Sequence, residues 1–181
     1  MKGRWGFIDR KGNWAVKNVY DEVWTFSEGL AAVRRGKKLG YVDVSGKLRV
    51  PCRFGVPSRG SEAGRFSEGL AAVLKGGKTL FIDKKGNAVI RGDFVPWTGE
   101  APRFRWGVAC LETSKGRWRY VNRGGRYIGE PPVGSVDAVS GSAPGILPYR
   151  SDSGAWGYRN LDGTVVVPPF LDAARPFSGG I

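Results

Sequence analysis

Five positions carry the most regular oxygen chemistry in this chain. Each is an Asp or Asn three residues before a Gly: Asp9–Gly12, Asp43–Gly46, Asp83–Gly86, Asn122–Gly125 and Asn160–Gly163. Carboxylates of this kind act as general acid and base when two converge about 5–10 Å apart in a cleft. The rest of a catalytic inventory is missing. The 181 residues contain no His, which removes Ser-His-Asp and Cys-His nucleophile pairs and histidine metal sites. The nearest string to a phosphate-binding loop, GYVDVSGKL, has the wrong spacing and places Leu48 where Ser or Thr is required. Asp9, Asp43 and Asp83 are accounted for as turn residues, and Glu28 and Glu68 belong to a repeated octapeptide. The chain therefore reads as non-enzymatic, with no cofactor and no metal.

Cations are the second chemical resource. The formal net charge is +13, unevenly distributed. Residues 1–60 hold 13 Lys/Arg against 5 Asp/Glu, residues 61–130 hold 13 against 7, and residues 131–181 hold 3 against 4. Many cations fall in equivalent turns: Arg34, Arg35, Lys37 and Lys38, then Lys75 and Lys78, then Lys115, Arg117 and Arg119. If equivalent turns align on one edge, these residues form a basic ridge that attracts polyanions, with affinity falling steeply in salt. The competing reading is a row of solvated turns, because Lys also guards strand edges from aggregation.

Three variable loops, 55–64, 95–103 and 131–144, are the other candidate ligand face. These loops hold Arg59, Trp97 and Arg103, and the shorter equivalent loop before Phe26 holds Trp24. A basic–aromatic pair can stack on bases or sugars, and packing of each loop on its own unit is the alternative.

The elements that position these residues follow from a repeat. FSEGLAAV occurs at 26–33 and again at 66–73. A second marker recurs as WGFID (5–9), LGYVD (39–43), TLFID (79–83), WRYVN (118–122) and WGYRN (156–160), spaced by 34, 40, 39 and 38 residues. About five units of ~38 residues result, each too small to fold alone. Alternation predicts that each unit is a meander of three short antiparallel strands, with Asp-x-x-Gly as a type I turn closed by a left-handed Gly. The Pro pair of TVVVPPF (164–170) is expected to end its strand. Trp5, Trp118 and Trp156 share one repeat position and are expected to pack against the neighbouring unit. Cys52 and Cys110 form no disulfide framework and read as small buried residues.

These markers together resemble the bacterial WG (KWG) repeat from Trp5 to Ile181. The match weakens where Thr79-Leu80 replaces Trp-Gly and where Ser142 occupies the position of Phe. The resemblance implies an all-β repeat module with a binding function and transfers no catalytic residue. The expected fold is a single domain, 1–181, stacked as an elongated array, with a closed propeller-like ring as the alternative. Its units span approximately 1–33, 34–73, 74–111, 112–149 and 150–181. The expected function is an interaction module for a protein or cell-envelope partner through the variable loops. The alternative is polyanion binding, to nucleic acid, acidic glycan or anionic lipid, through the basic ridge.

The chain starts within a hairpin and stops at FSGGI, where an Ala-rich strand is due, so a cropped array is expected. Localisation stays open between cytoplasmic, if Met1 is the true start, and secreted or periplasmic. No run approaches the ~20 apolar residues of a membrane-spanning helix. Oligomeric state is not encoded in any of these features.

Overall fold

The computed structural model describes residues 3–57, 62–131, 145–160 and 162–174, and among them there is no helix. The chain divides into two compact units, Met1–Gly92 with Pro96–Arg103, and Asp93–Val95 with Phe104–Ile181. The first unit contains β1 (Trp5–Ile8), β2 (Trp14–Tyr20), β3 (Glu22–Val23), β4 (Leu30–Arg35), β5 (Lys38–Asp43), β6 (Leu48–Gly55), β7 (Ala71–Lys75) and β8 (Lys78–Ile82), and β9 (Ala88–Phe94) begins in it. The second holds β10 (Val108–Glu112), β11 (Trp118–Asn122), β12 (Tyr127–Gly129), β13 (Ile146–Arg150), β14 (Trp156–Asn160) and β15 (Val165–Leu171).

The predicted three-strand meander recurs as β4–β5–β6, β7–β8–β9, β10–β11–β12 and β13–β14–β15. The first repeat differs: among the described residues β1 pairs with β2 alone. Strands β3 to β9 follow one another in a single sheet, but β6 and β7 are joined only at Gly55–Leu74. The fold is an all-β array of antiparallel repeats, and each described sheet is open.

Each meander is set by its turns. The Asp9 carboxylate accepts the amides of Lys11 (2.8 Å) and Asn13 (2.9 Å). Asp43 accepts those of Ser45 (2.9 Å) and Lys47 (3.0 Å), and Asp83 those of Lys85 (2.9 Å) and Asn87 (2.8 Å). Gly12, Gly46 and Gly86 close these turns at φ 84°, 82° and 85°, where a Cβ is disfavoured. In FSEGL, Ser27 and Leu30 exchange both backbone hydrogen bonds (2.8 and 3.0 Å) around Glu28 at φ 49° and Gly29 at φ 84°. Two consecutive positive φ values define a type I′ hairpin turn.

That turn also joins successive repeats. Ser27 Oγ donates to the Phe66 carbonyl at 2.6 Å, and the Gly69 amide donates to Glu28 Oε2 at 3.0 Å. Lys84 pairs with the same carboxylate at 3.1 Å. One copy of the octapeptide thus grips the next.

Strand β4 explains why the repeated strand is small and apolar. Ala32 and Leu30 face one core cluster, with Leu39, Tyr41 and Phe66 and with Val73, Leu80 and Ile82 of the third repeat. Ala31 and Val33 face another, with Val42 and with Val16 and Tyr20 of the first repeat. Both faces are covered, so side chains on alternate sides must be apolar and short. The glycine of the WG pair is required sterically. A Cβ on Gly6, Gly40 or Gly157 would lie 2.3, 2.5 or 2.5 Å from a carbonyl oxygen of the adjacent strand. Register shifts occur at these positions in all three hairpins.

Three sequence expectations are corrected. Trp156 is buried at its repeat position, but Trp5 (60% exposed) and Trp118 (37%) face solvent. Among the described residues Trp5 lies on a strand with one partner, and Trp118 begins β11 beside the Thr113–Arg117 turn. Cys52 and Cys110 are half-buried at the margins of their clusters rather than enclosed. Finally, β15 continues through Pro168 and Pro169 to Leu171. The prolines occupy the bulge opposite Gly157, between the pairs Tyr158–Val167 and Trp156–Leu171, where no ladder donor is needed.

Candidate functional site

The basic turn between β4 and β5 is built from a local network. Asp21 accepts the Gly36 amide at 2.6 Å and pairs with Arg4 at 2.9 Å. The Gly36 amide, followed by the nearby arginines, lowers the Asp21 carboxyl below its ordinary value. Arg34 grips Glu22 through Nε (3.0 Å) and Nη2 (2.9 Å) and donates Nη1 to the Gly36 carbonyl at 2.9 Å. Arg34 therefore holds the turn together. Arg35 lies over the Tyr20 ring at 5.1 Å. Lys37 and Lys38, at the tip, are exposed.

Gly55 brings this turn towards the next one. It pairs with Lys38 on one side and Leu74 on the other, so the 35–38 turn and Lys75 lie within about two strand spacings, roughly 10 Å. Beside this junction is a cavity of about 300 Å³ lined by Arg53, Lys75, Arg91 and Asn87 over Phe54 and Leu80. No carboxylate lines it. Arg53 is fixed in place: Nη2 donates to the Gly86 carbonyl at 2.8 Å, and its guanidinium lies 5.3 Å from the Phe54 ring centre. Gly86 leaves room for it, since a Cβ there would come within 3.1 Å of that Nη2. The lining gives the cavity a local excess of positive charge, which favours an anionic group.

Arg53 and Arg91 were not legible as site residues, because they sit on β6 and β9 rather than in turns. The face of Arg53 follows the register shift opposite Gly40, whereas the repeat of Arg91 carries Leu80 at that position. In the second unit, Lys115 and Arg117 are exposed in the Thr113–Arg117 turn, whereas Arg119 pairs with Glu130. Lys78 is exposed at the end of the 75–78 turn. Arg159 stands where other repeats carry Ile or Val. Its guanidinium stacks 3.8 Å from the Tyr149 ring centre, and burial lowers its pKa.

The loop candidates are more enclosed. Trp97 is buried and donates Nε1 to the Glu62 carbonyl at 3.0 Å. Trp24 is half-buried against the first unit's core, and Arg103 pairs with Glu100 at 2.8 Å. Arg59 and most of the 131–144 loop lie outside the described residues. Trp106, which departs from the repeat's aromatic positions, occupies the place of Glu28 and Glu68, with the same left-handed φ of 50°.

The carboxylates are engaged in holding backbone. Asp43 is the extreme case: the Ser45 hydroxyl, then Arg49 at 2.6 Å and the turn amides, hold its carboxyl well below the ordinary range. Burial pushes the Tyr41 hydroxyl and the Cys52 thiol upward, so neither ionises at neutral pH.

No curated protein matches the chain. Among solved structures it is similar to the computationally designed Ika4 protein, at 14% identity over 75% of this chain and 88% of that one, with a TM-score of 0.45. It is also similar to BamB from Moraxella catarrhalis, at 18% identity over 88% of this chain and 52% of that one, with a TM-score of 0.45. A family model described as "WG containing repeat" matches residues 5–38, 40–78 and 156–181. The unmatched stretch contains the repeats in which the Trp-Gly pair has become Thr79-Leu80 and Trp118-Arg119. With the repeat matched over more than half of its length, the chain belongs to the WG-repeat family.

Proposed function

We propose that this β-repeat module is a non-enzymatic binder of anionic polymers, engaging them through the Arg53–Lys75–Arg91 cavity and the neighbouring basic turns. The observation that carries the reading is that three cationic side chains and no carboxylate are among the residues lining one cavity. The cavity would take one phosphate, sulfate or carboxylate group. Lys37 and Lys38 would meet groups further along the polymer. Binding through the variable loops is the weaker reading, because Trp97 is buried and Arg103 is paired within its own loop.

Salt dependence provides the test. The chain should be retained on immobilised heparin or DNA at roughly 50 mM salt and released as salt rises, with a linear log–log dependence. The double variant Lys75→Ala, Arg91→Ala should lower that slope by about 1.5–2 without altering the fold. Absence of retention by the wild-type chain at low salt would overturn the proposal.

A further inference from the structure

The cationic cavity is peculiar to one junction between repeats. Arg53, Lys75 and Arg91 line it where the second repeat meets the third. Counted from the Asp-x-x-Gly turns and the FSEGL glycine, their equivalents one repeat earlier are Val19, Arg35 and Pro51. One repeat later they are Asp93, Thr113 and Glu130. The repeat template therefore does not impose this cluster. The apolar part of the lining is peculiar as well. Leu80 stands where Gly6, Gly40 and Gly157 leave no side chain, and it lines the cavity with Phe54. Leu80 and Phe54 are buried, whereas the three cations are exposed. The cavity thus combines an apolar base with a cationic rim.

That combination discriminates among anionic polymers. Single-stranded nucleic acid stacks its bases on exposed aromatic faces. Among the described residues of the lining there is none, since Phe54 is buried with the Arg53 guanidinium 5.3 Å from its ring centre. Duplex phosphates are held by cations alone and bring no apolar face to set against Leu80. An acidic polysaccharide carries its charge on the sugar ring, so one residue presents an anionic group and an apolar C–H face together. A volume of about 300 Å³ lies at the lower end of small-molecule pockets and admits one such ring. We infer that the cavity takes one sugar ring bearing a carboxylate or sulfate from an acidic polysaccharide. The anionic group lies beside Arg53, Lys75 and Arg91, and the ring lies against Leu80 and Phe54. The inference rests on the anionic-polymer reading above and narrows it from charge to charge on a sugar.

The probes are a heparin oligosaccharide and a single-stranded DNA oligonucleotide of equal charge, titrated into the full chain at about 0.1 M salt. Four small competitors at equal ionic strength form two pairs: glucuronate with acetate, and glucose 6-sulfate with methyl sulfate. Within at least one pair the sugar should displace the oligosaccharide at a concentration about tenfold below that of its sugar-free partner. Arg91→Ala, at an exposed position, should weaken oligosaccharide binding about five- to tenfold with the urea midpoint unchanged. Arg10→Ala removes the same charge from the exposed turn after β1 and should weaken binding by less than about twofold. Equal displacement within both pairs, or equal losses from the two variants, overturns the sugar site while retention on polyanions keeps the broader reading. Tighter binding of DNA than of the oligosaccharide, abolished by Arg91→Ala, assigns the cavity to nucleic acid and also overturns it. Failure of the wild-type chain to bind either polymer overturns both readings.

Discussion

The first and second repeats use the same hairpin and bury it to very different extents. Both have the Asp-x-x-Gly turn, with Gly12 and Gly46 at nearly identical φ (84° and 82°), and both have a WG-type glycine packed against a carbonyl oxygen. Yet Tyr41 is fully buried while its equivalent Phe7 is half-buried, and Leu39 is 2% exposed while Trp5 is 60% exposed. The motif therefore specifies the hairpin, and burial comes from what flanks it. The second repeat has β4 on its edge and further repeats on both faces, whereas among the described residues the first has a strand on one side only. A residue's weight in the fold follows its neighbours more than its place in the motif.

The largest effect should separate these two positions. Tyr41→Ala removes a ring packed edge-on against Phe66 at 5.0 Å and a hydroxyl that donates to the Gly64 carbonyl at 2.6 Å. It should cost about 3–5 kcal/mol. Trp5→Ala removes an exposed ring and should change stability by no more than roughly 0.5 kcal/mol. Urea unfolding of the two variants measures the difference directly. Similar costs would show that the repeat's Trp, rather than flanking, anchors the hairpin.

The glycines sharpen the same comparison at a smaller scale. Gly40→Ala places a Cβ 2.5 Å from the Val50 carbonyl and 2.7 Å from the Cys52 amide, both backbone atoms within a fully flanked sheet. Such overpacking should cost about 1–3 kcal/mol. At Gly6 the static clash is closer, 2.3 Å from the Val16 carbonyl. The cost there should nevertheless be lower, because among the described residues β1 has one partner and can move outward. Comparison of the urea midpoints of the two Ala variants checks this. A larger loss at Gly6 would mean that β1 is held as firmly as β5.

Much of this was legible in the sequence for a physical reason: turns are local. Asp43 and Gly46 act within one five-residue loop, so spacing and residue type suffice to predict it. The meanders followed because alternating apolar residues between such turns can form little else. Contacts between repeats were less readable. Ser27 and Glu28 looked like ordinary turn residues, and nothing local shows that they bond Phe66 and Gly69 some 40 residues later. The burial of Trp97 and the exposure of Trp5 likewise depend on partners that a motif does not contain. The cavity was hidden for a related reason. Arg53 and Arg91 lie within strands 38 residues apart in sequence, and no local pattern places them on one cavity, whereas the turn cations could be found from spacing alone.

The smallest difference concerns acid. Asp43 and Asp9 make the same turn, but Asp43 also accepts from the Ser45 hydroxyl and pairs with Arg49, whereas among the described residues Asp9 accepts from the Lys11 amide and the two Asn13 amides and has no arginine partner. Both carboxyls are held below their ordinary value, Asp43 further. A depressed folded-state pKa stabilises the fold above the unfolded value, about 3.9, and that contribution is lost as pH falls through the folded value. Asp43→Asn should keep the turn, as Asn122 does by accepting the amides of Gly124 (3.0 Å) and Arg126 (2.9 Å). Its urea midpoint should therefore lie below wild type at neutral pH and converge on it as pH falls below roughly 4. Asp9→Asn should show the same convergence with smaller amplitude. Equal amplitudes would mean that the turn amides alone set the acid sensitivity, and that Ser45 and Arg49 add nothing to what the two repeats share.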